Sequence, residues 1–418
     1  MKQQTEFGDI PVDWQVKKII DIKSDDKRAI AMGPFGSNIK TDNFVDAGVP
    51  VIRGTNMNYA KYVDGNFVYL TNEKADELIG SNCKPNDLVF THRGTIGQVA
   101  LIPHNKYPRY VISQSGMKLT VNQSIINSEF LFYFFKSDYG QYQILKYEAQ
   151  VGVPSISNPL TSLKEMYVPV PLLVEQKAIA SVLSSLDNKI DLLHRQNKTL
   201  EAMAETLFRQ WFVETSNDYC KEVELHEIIN FNPKRILLKG SNAIYLEMAG
   251  LNTNTFSASG YYNRDFTSGQ KFINQDTLLA RITPCLENGK AGYIHFLYQD
   301  NVGWGSTEFI VLRPKSDFHP LFAYILCRNK DFKEYAESCM EGSSGRQRVN
   351  VSHLSMYTLN LPSNDVIIQF NKTLASIEPK LVSNALQIQT LQKLRDTLLP
   401  KLISGEVRVK YTPEHVEQ

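Results

Sequence analysis

The sequence lacks an excess of charge of either sign. It has 418 residues, with 45 lysines and arginines against 44 aspartates and glutamates, which gives a formal net charge of +1. Such a balance provides no whole-molecule field that would attract nucleic acid or anionic lipid. Composition therefore disfavours a protein that binds DNA through bulk charge, and any basic surface has to arise by folding.

Long apolar runs and paired cysteines are also missing. The densest apolar run, Phe130–Phe135, is far shorter than the ~18–20 residues that span a bilayer, and the first residues lack the apolar stretch of a signal peptide. The cysteines are odd in number and form no CxxC pair: Cys83, Cys220, Cys285, Cys327 and Cys339. We therefore expect a cytoplasmic protein without a membrane segment, with reduced thiols and no zinc site.

Catalytic motifs are absent as well. The nearest match to a nucleotide-binding loop, PCLENGKA (residues 284–291), lacks both the first glycine and the hydroxyl residue. No D/N-P-P-Y/F tetrapeptide of an adenine methyltransferase occurs, and no GxGxxG loop. The histidines show no metal-ligand spacing. We expect a non-catalytic chain that binds no metal and no cofactor of its own.

An internal repeat of about 191 residues organises the chain. LKEMYVPVP (residues 163–171) aligns with LSMYTLNLP (residues 354–362), and KPNDLVFTHRG (residues 84–94) aligns with NQDTLLARITP (residues 274–284). Each copy contains short apolar runs separated by glycine and proline, and ends in a long helical pattern. The sequence predicts two globular domains of the α/β (α+β) class, each followed by a long helix.

The repeat also predicts the domain boundaries. We expect a first globular domain at residues 1–171 and a second at residues 215–362. The predicted helices occupy residues 172–214 and 363–405, and a tail follows at residues 406–418.

The helical segments carry apolar residues at alternating intervals of four and three. This seam predicts two helices that pair as an antiparallel coiled coil and hold the globular domains apart. We expect Asn197 to face the opposite helix; the alternative is a solvated or slightly off-seam position. We expect Pro379 to kink the second helix or break it locally. The seam positions are Ile179, Leu183, Leu186, Ile190, Leu193, Asn197, Leu200, Ala204, Leu207 and Trp211, then Phe370, Leu374, Ile377, Leu381, Asn384, Ile388, Leu391, Arg395, Leu398 and Leu402.

Polar loops between the apolar runs carry side chains suited to nucleic acid. Arginine forks pair with guanine, asparagine and glutamine amides pair with adenine, and lysine and serine suit phosphates. For Arg93 and Arg281 a surface ion pair is an alternative role, and Trp304 is interpreted as a packing residue. The candidate DNA-binding residues are Ser37, Asn38, Lys40, Arg53, Asn56, Asn58, Lys61, His92 and Arg93 in the first domain, and Lys234, Arg235, Arg281, Lys290, Ser306, Arg346, Gln347 and Arg348 in the second.

The chain resembles the specificity subunit of type I restriction–modification systems along nearly its whole length. The matching segments are GPFGSN (33–38), VPVIRGTNM (49–57), VPVPLLVEQKAIA (168–180), LLARITPCLENGK (278–290), GSTEFIVLRP (305–314), GSSGRQRV (342–349) and LRDTLLPKLISGEV (394–407). One departure is VIIQ (366–369), where a Pro-rich, Glu-Gln helix start like that at 174–176 is expected.

The resemblance implies two target-recognition domains that read the halves of a split, asymmetric site in double-stranded DNA. It further implies that two adenine-N6 methyltransferase subunits dock on the helical region and that restriction subunits join them. S-adenosylmethionine, ATP and Mg are expected on those partner subunits and not on this chain.

Two other interpretations remain at this point. A fused methyltransferase–specificity enzyme would need the missing tetrapeptide and cofactor loop. A coiled-coil scaffold without DNA contact is distinguished by DNA-binding assays with and without the methyltransferase subunits.

Overall fold

The computed structural model describes residues 2–5, 8–57, 61–149, 152–214, 221–343 and 345–410. The chain divides into two compact units. The first unit consists of Met1–Asp191 together with Leu391–Gln418, and the second consists of Leu192–Thr390. Each long helix therefore contributes one part to each unit.

The first unit is built from short strands and short helices. Its strands are β1 (Lys2–Thr5), β2 (Gly8–Pro11), β3 (Gln15–Lys18), β4 (Ile30–Met32), β5 (Val49–Ile52), β6 (Val68–Leu70), β7 (Asn82–Cys83), β8 (Leu88–Thr91), β9 (Val99–Leu101), β10 (Tyr110–Ile112), β11 (Gly116–Leu119) and β12 (Tyr167–Val170). Its helices are α1 (Ile19–Ile22), α2 (Asn72–Glu77), α3 (Ser128–Lys136), α4 (Asp138–Leu145) and α5 (Pro159–Glu165), and α6 (Leu173–Phe208) begins there.

Two four-stranded sheets form the centre of the first unit. Their strand orders are β4-β11-β8-β9 and β6-β5-β10-β7, and β5 pairs with β10 in parallel while the other neighbours are antiparallel. The apolar run Phe130–Phe135 is a helix in which every residue is buried, as expected for a helix that is apolar on all sides. The Asn127 side chain caps it by accepting a 2.9 Å hydrogen bond from the Phe130 amide.

The second unit repeats this topology. Its strands are β13 (Lys221–Glu224), β14 (Ile229–Phe231), β15 (Asn242–Leu246), β16 (Tyr262–Asp265), β17 (Gln270–Phe272), β18 (Thr277–Ala280), β19 (Ala291–Tyr293), β20 (Gly303–Gly305), β21 (Phe309–Pro314), β22 (Met340–Glu341), β23 (Arg348–Val349) and β24 (Thr358–Leu361). Its helices are α7 (Leu225–Ile228), α8 (Leu321–Arg328), α9 (Lys330–Ser338), α10 (Val351–Leu354) and the greater part of α11 (Asn364–Ile403).

The sheet orders of the second unit are β14-β21-β18-β19 and β16-β15-β20-β17. They match the two sheets of the first unit strand for strand, including one parallel pair, here β15 with β20. The predicted mixed α/β fold with an internal repeat is confirmed.

The two long helices run antiparallel within each unit. In the first unit, Asp187 of α6 accepts a 3.0 Å hydrogen bond from Arg395 of α11. In the second unit, Phe208 of α6 lies 6.5 Å from Phe370 of α11, measured between ring centroids. Residue numbers rise along one helix as they fall along the other, and none of the predicted seam positions is exposed. The predicted antiparallel helix pair is confirmed.

Helix α11 is continuous through Pro379, so the predicted local break is wrong. Proline removes one backbone donor and leaves the carbonyl four residues earlier, that of Ala375, without its helical partner. Both Pro379 and Ala375 are exposed, so water can satisfy that carbonyl. The cost of the proline is thereby reduced, and the helix persists.

The start of α11 replaces polar anchoring with apolar packing. At the start of α6, the buried Gln176 side chain accepts from the Asn127 amide at 2.7 Å and donates to the Pro171 carbonyl at 2.9 Å. The repeat places Ile367 at the corresponding position, and Ile367 is buried in the core of the second unit. The departure at residues 366–369 therefore lies within the first turns of α11, which begins at Asn364.

Candidate nucleic-acid interface

Four of the predicted DNA-binding residues of the first unit lie at its surface. Asn38, Lys40, Arg53 and Arg93 are all exposed. The turn after Lys40 is held by a 2.9 Å hydrogen bond from its backbone amide to the side chain of Asn43, so the lysine side chain is left to solvent. The side chain of Ser37 and all of Asn58 lie outside the described residues.

Asn56 is a structural residue, and its assignment to DNA is wrong. It is 1% exposed, and its amide group donates to the carbonyls of Asp64 and Asn66 at 3.1 and 3.0 Å. Its side-chain oxygen accepts from the Arg53 amide at 3.0 Å. The side-chain nitrogen donates twice and the side-chain oxygen accepts once inside the unit, so Asn56 shapes the loop that presents Arg53.

Lys61 is likewise internal and is not a DNA contact. It is 6% exposed, its Nζ lies 2.5 Å from the Glu129 carboxylate, and it donates to Ser184 Oγ at 2.9 Å. The Tyr62 hydroxyl donates to the same carboxylate at 3.1 Å. A buried ammonium has to be paired, and Glu129 supplies the partner. This cluster joins the loop to helices α3 and α6 within the first unit.

His92 holds a loop instead of facing DNA. The residue is buried, and its Nε2 lies 3.1 Å from the carbonyl oxygen of Gln114. Burial lowers the pKa of His92 below its ordinary value, which favours the neutral imidazole. The prediction that this side chain binds DNA is wrong, because its hydrogen bond is made inside the unit.

Two predicted residues of the second unit also make hydrogen bonds inside the unit. Arg235 donates to both carboxylate oxygens of Asp276, at 3.2 and 3.4 Å, and Asp276 is completely buried. Lys290 donates from Nζ to the Met248 carbonyl at 3.1 Å. We correct the assignment of Arg235, since its guanidinium is bound to a buried carboxylate. Lys290 is only partly buried and has further N–H donors, so its assignment stays a prediction. Lys234, next to Arg235, is exposed and remains a candidate.

Three loops of the second unit meet to form one surface, here called the second loop junction. Its described residues are 281–290, 306–308, 342–343 and 345–348. The Arg281 amide donates to the Glu308 carbonyl at 3.0 Å, and the Val349 amide donates to the Arg281 carbonyl at 2.8 Å. The Thr283 amide donates to the Gln347 carbonyl at 3.2 Å. Six of the predicted residues lie in these loops: Arg281, Lys290, Ser306, Arg346, Gln347 and Arg348.

The Arg348 side chain forms a two-point ion pair at this junction. Its Nε lies 2.9 and 3.0 Å from the two carboxylate oxygens of Glu308, and its terminal NH2 nitrogen lies 2.7 Å from one of them. Hydrogen bonding to Glu308 raises the pKa of Arg348 above its ordinary value, so the guanidinium stays charged. Arg346, two residues earlier, is exposed. The junction therefore presents arginines on loops that the backbone holds together.

The first unit forms the same junction with other side chains. This first loop junction comprises residues 92–98, 113–115 and 152–155. The His92 amide donates to the Ser115 carbonyl at 2.9 Å, and the Ile156 amide donates to the His92 carbonyl at 2.8 Å. The Gly94 amide donates to the Pro154 carbonyl at 2.8 Å. Each bond has its counterpart in the second unit.

The shared hydrogen bonds define the register between the two units. His92 corresponds to Arg281, Ser115 to Glu308, and Ser155 to Arg348. The sequence alignment, which set His92 against Ile282, is wrong by one residue. Where the loops between strands differ in length, the apolar pattern of the strands does not fix how the two copies of the repeat align. The backbone hydrogen bonds fix that alignment.

Sequence reasoning missed one loop of the first junction, residues 152–155. It contains glycine, valine, proline and serine and none of the side chains that suit base edges, so composition offered no signal. Its correspondence to GSSGRQRV in the second unit would have identified it. Trp304 is buried against the Tyr245 ring, with centroids 4.3 Å apart, which confirms its interpretation as a packing residue.

Other expectations concern metals, thiols and membranes. Within the described residues, no group of histidine, cysteine, aspartate or glutamate side chains is arranged to hold a metal ion. Cys83, Cys285, Cys327 and Cys339 are free thiols, and Cys220 lies outside the described residues. No helix in the described ranges is both long and apolar enough to cross a membrane.

Comparisons with known proteins find similarity to type I specificity subunits. Residues 11–202 match the family model described as "Type I restriction modification DNA specificity domain". The type I restriction enzyme MjaIX specificity subunit of Methanocaldococcus jannaschii is 25% identical over 98% of this chain and 96% of that relative. The chain is thus similar over nearly its whole length to a type I specificity subunit. The HindI specificity subunit of Haemophilus influenzae is 22% identical, over 73% of this chain and 83% of its own.

A solved structure has the same fold as this chain. The crystal structure of the S subunit of a type I restriction–modification system from M. genitalium superposes with a TM-score of 0.56 at 19% identity. The superposition covers 96% of this chain and 97% of that one. The resemblance inferred from the sequence motifs is confirmed, and the repeated fold is that of a specificity subunit.

Proposed function

We propose that this specificity subunit reads a split, asymmetric site in double-stranded DNA, with one half-site read by each unit. It acts as the non-catalytic member of a complex with two adenine-N6 methyltransferase subunits and restriction subunits. The partner subunits carry S-adenosylmethionine, ATP and Mg, and the complex works in the cytoplasm.

One observation carries the proposal: the two loop junctions share a backbone framework but differ in side chains. The second presents Arg281, Glu308 and Arg348 where the first has His92, Ser115 and Ser155. Base edges in the major groove are distinguished by the donors and acceptors that side chains offer. Two related frameworks with different side chains are therefore suited to two different half-sites.

The paired helices supply a surface for the methyltransferase subunits. In the second unit, Leu192 and Met203 of α6 and Leu386 of α11 are exposed, although the seam residues of the same helices are not. Large apolar side chains outside a filled seam favour a protein contact. The near-zero net charge also supports partners that provide much of the phosphate-binding surface.

The test is methylome sequencing of a strain that produces the chain with its methyltransferase subunits. We expect N6-methyladenine at one split sequence. Replacing residues 1–160 with the corresponding segment of another family member should change only one half of that sequence, and thereby assigns each half-site to a unit.

Two results would contradict the proposal. A change in both halves after the replacement would refute independent reading by the two units. Methyltransferase activity that is unaffected by deletion of the chain, with no DNA binding by the assembled complex, would favour a scaffold without DNA contact.

A further inference from the structure

Glu308 covers only one edge of the Arg348 guanidinium. Its carboxylate accepts from Nε and from the NH2 group, so the end-on edge formed by the two terminal nitrogens stays open. Guanine presents O6 and N7 side by side in the major groove, and an arginine fork binds both. Arg348 is 55% exposed, so this open edge is accessible to a ligand.

The backbone fixes both members of the ion pair. Arg348 lies in β23, pairs across to Glu341 of β22, and forms a bridge to Ile282. Glu308 is held by the hydrogen bond that Arg281 donates to its carbonyl, and by a 3.1 Å bond from its own amide to Ser306 Oγ. A guanidinium fixed in this way loses little side-chain entropy when it binds, unlike a mobile surface arginine.

A second arginine beside the pair has an unused donor. Arg281 and Arg348 both line a cavity of about 450 Å³ at the junction. The Nε of Arg281 is buried, and no described residue accepts a hydrogen bond from it. Buried donors in native proteins are nearly always paired, so an unpaired one beside a cavity points to a ligand that carries acceptors.

Two of the three acidic residues at or beside the junction are already engaged, and the third, Glu287, has one buried carboxylate oxygen for which no described residue is a partner. Glu308 pairs with Arg348, while Glu341 accepts from Asn350 at 2.9 Å and lies 3.3 Å from His353. The exposed Arg346 adds positive charge on the same loop. The surface therefore offers donors to a ligand, which suits guanine and phosphate better than a basic peptide.

The first loop junction cannot make the same contact. Ser155 stands at the position of Arg348 and Ser115 at that of Glu308, and the hydroxyls of Ser113 and Ser115 lie 3.3 Å apart. A serine lacks the fork that spans O6 and N7. We propose that Arg348, oriented by Glu308, reads one guanine in the half-site of the second unit, and that the first unit has no counterpart. This inference rests on the proposed function and deepens it.

The test compares methylomes of complexes that contain wild-type chain, Arg348→Ala, Arg348→Lys or Glu308→Gln. We expect Arg348→Ala to make one G·C position of the second-unit half-site degenerate and to lower methylation of the original site about 10- to 100-fold. Arg348→Lys should not restore the preference, because lysine lacks the planar fork. Glu308→Gln should weaken the preference at the same position, since it loosens the orientation of Arg348.

Lys330→Ala is the matched control. Lys330 forms an exposed ion pair with Glu334 on α9 of the same unit, outside the junction, and its loss should leave the methylated sequence unchanged. Thermal unfolding and gel filtration of each purified complex show whether the variants fold and assemble.

Three outcomes would overturn the inference. They are an unchanged base preference in Arg348→Ala, an equal loss of methylation at all sequences as expected for a phosphate contact, and a change confined to the first-unit half-site. If the wild-type complex methylates a split site, these outcomes refute the guanine contact alone. A wild-type complex that recognises no split site refutes the proposed function itself.

Discussion

Asn384 of α11 donates a hydrogen bond from Nδ2 to Oδ1 of Asn197 on α6, at a distance of 2.8 Å. Both residues occupy the apolar seam of the second unit, and Asn197 is buried. The sequence predicted that Asn197 faces the opposite helix, and this prediction is confirmed. A paired amide in an apolar seam selects one register, because a shift of either helix would leave it unsatisfied.

The asparagine pair provides the first prediction. Asn384→Leu should lower the free energy of unfolding by about 1–3 kcal/mol, because Asn197 then remains buried without its partner. The double substitution with Asn197→Leu should recover most of that loss, since two leucines fill the seam. Urea unfolding of the four variants of this double-mutant cycle measures both effects. A loss in the double variant equal to the sum of the losses in the two single variants would contradict coupling between these amides.

Substitutions of Lys61 and Lys40 compare a buried structural lysine with an exposed candidate DNA contact. Lys61→Met should lower the free energy of unfolding by about 1–3 kcal/mol without changing the methylated sequence, because Glu129 loses its partner inside the unit. Lys40→Met, at an exposed position, should leave stability unchanged. Thermal unfolding and methylome sequencing of both variants give the comparison. A changed sequence preference in Lys61→Met, with stability intact, would restore Lys61 as a DNA contact.

His295 predicts a pH dependence of stability. The residue is partly buried, with Nδ1 enclosed and Nε2 2.8 Å from Ser257 Oγ, and burial lowers the pKa of His295 from 6.5 to about 4. The folded state therefore binds fewer protons than the unfolded state between these values, and stability falls as the pH drops from 6.5 towards 4. Relative to His295→Gln, which has no proton to gain, the wild-type chain should lose about 2–3 kcal/mol across this range.

Urea unfolding at several pH values tests the His295 prediction. His104→Gln is the control, because His104 is exposed and its loss should leave the pH profile close to that of the wild type. Parallel profiles for the wild type and His295→Gln would contradict a neutral buried imidazole.

The isolated chain should bind DNA weakly. Its net charge of +1 offers little attraction for phosphates, so tight and specific binding should need the methyltransferase subunits. Filter binding at physiological salt, with the chain alone and with the assembled complex, measures the difference. Tight, sequence-specific binding by the chain alone would show that its own surface is sufficient.

The helix pair should set the spacer of the recognised site. One heptad inserted after Asp191 in α6 and one after Thr390 in α11 keep the seam in register and lengthen the pair by about 10 Å. We expect methylation to move to sites with a different spacer while both half-sites stay the same. A second variant carries a heptad in α6 only, which disrupts the pairing of the helices. Methylome sequencing of both variants distinguishes an effect of helix-pair length on the spacer from a loss of helix pairing. An unchanged spacer in the double insertion would refute the ruler.

Features with a regular period were predictable from the sequence. The spacing of Ile179, Leu183 and Leu186 indicates one helix face whatever surrounds it, since helix geometry alone brings these side chains together. The short apolar runs that form β5 (Val49–Ile52) and β8 (Leu88–Thr91) were predictable for a different reason, because glycine and proline separate them from their neighbours. Family motifs then indicated the resemblance to type I specificity subunits, which the comparisons support.

The candidate site was predicted less well. Arg53 and Asn56 belong to one loop and have similar local sequence signals, but Arg53 is exposed and Asn56 is 1% exposed. The difference arises because the carbonyls of Asp64 and Asn66 come to meet Asn56 from a later part of the chain. Lys61 is decided in the same way, by Glu129 and Ser184.

The sequence by itself determined the repeat, the helix seam and the resemblance to specificity subunits, because these depend on residue periods and motifs along the chain. Only the tertiary structure decided which polar side chains are free, and that Ser155 stands where the other unit has Arg348. Such correspondences depend on hydrogen bonds between loops that are distant in sequence, and no local pattern records them.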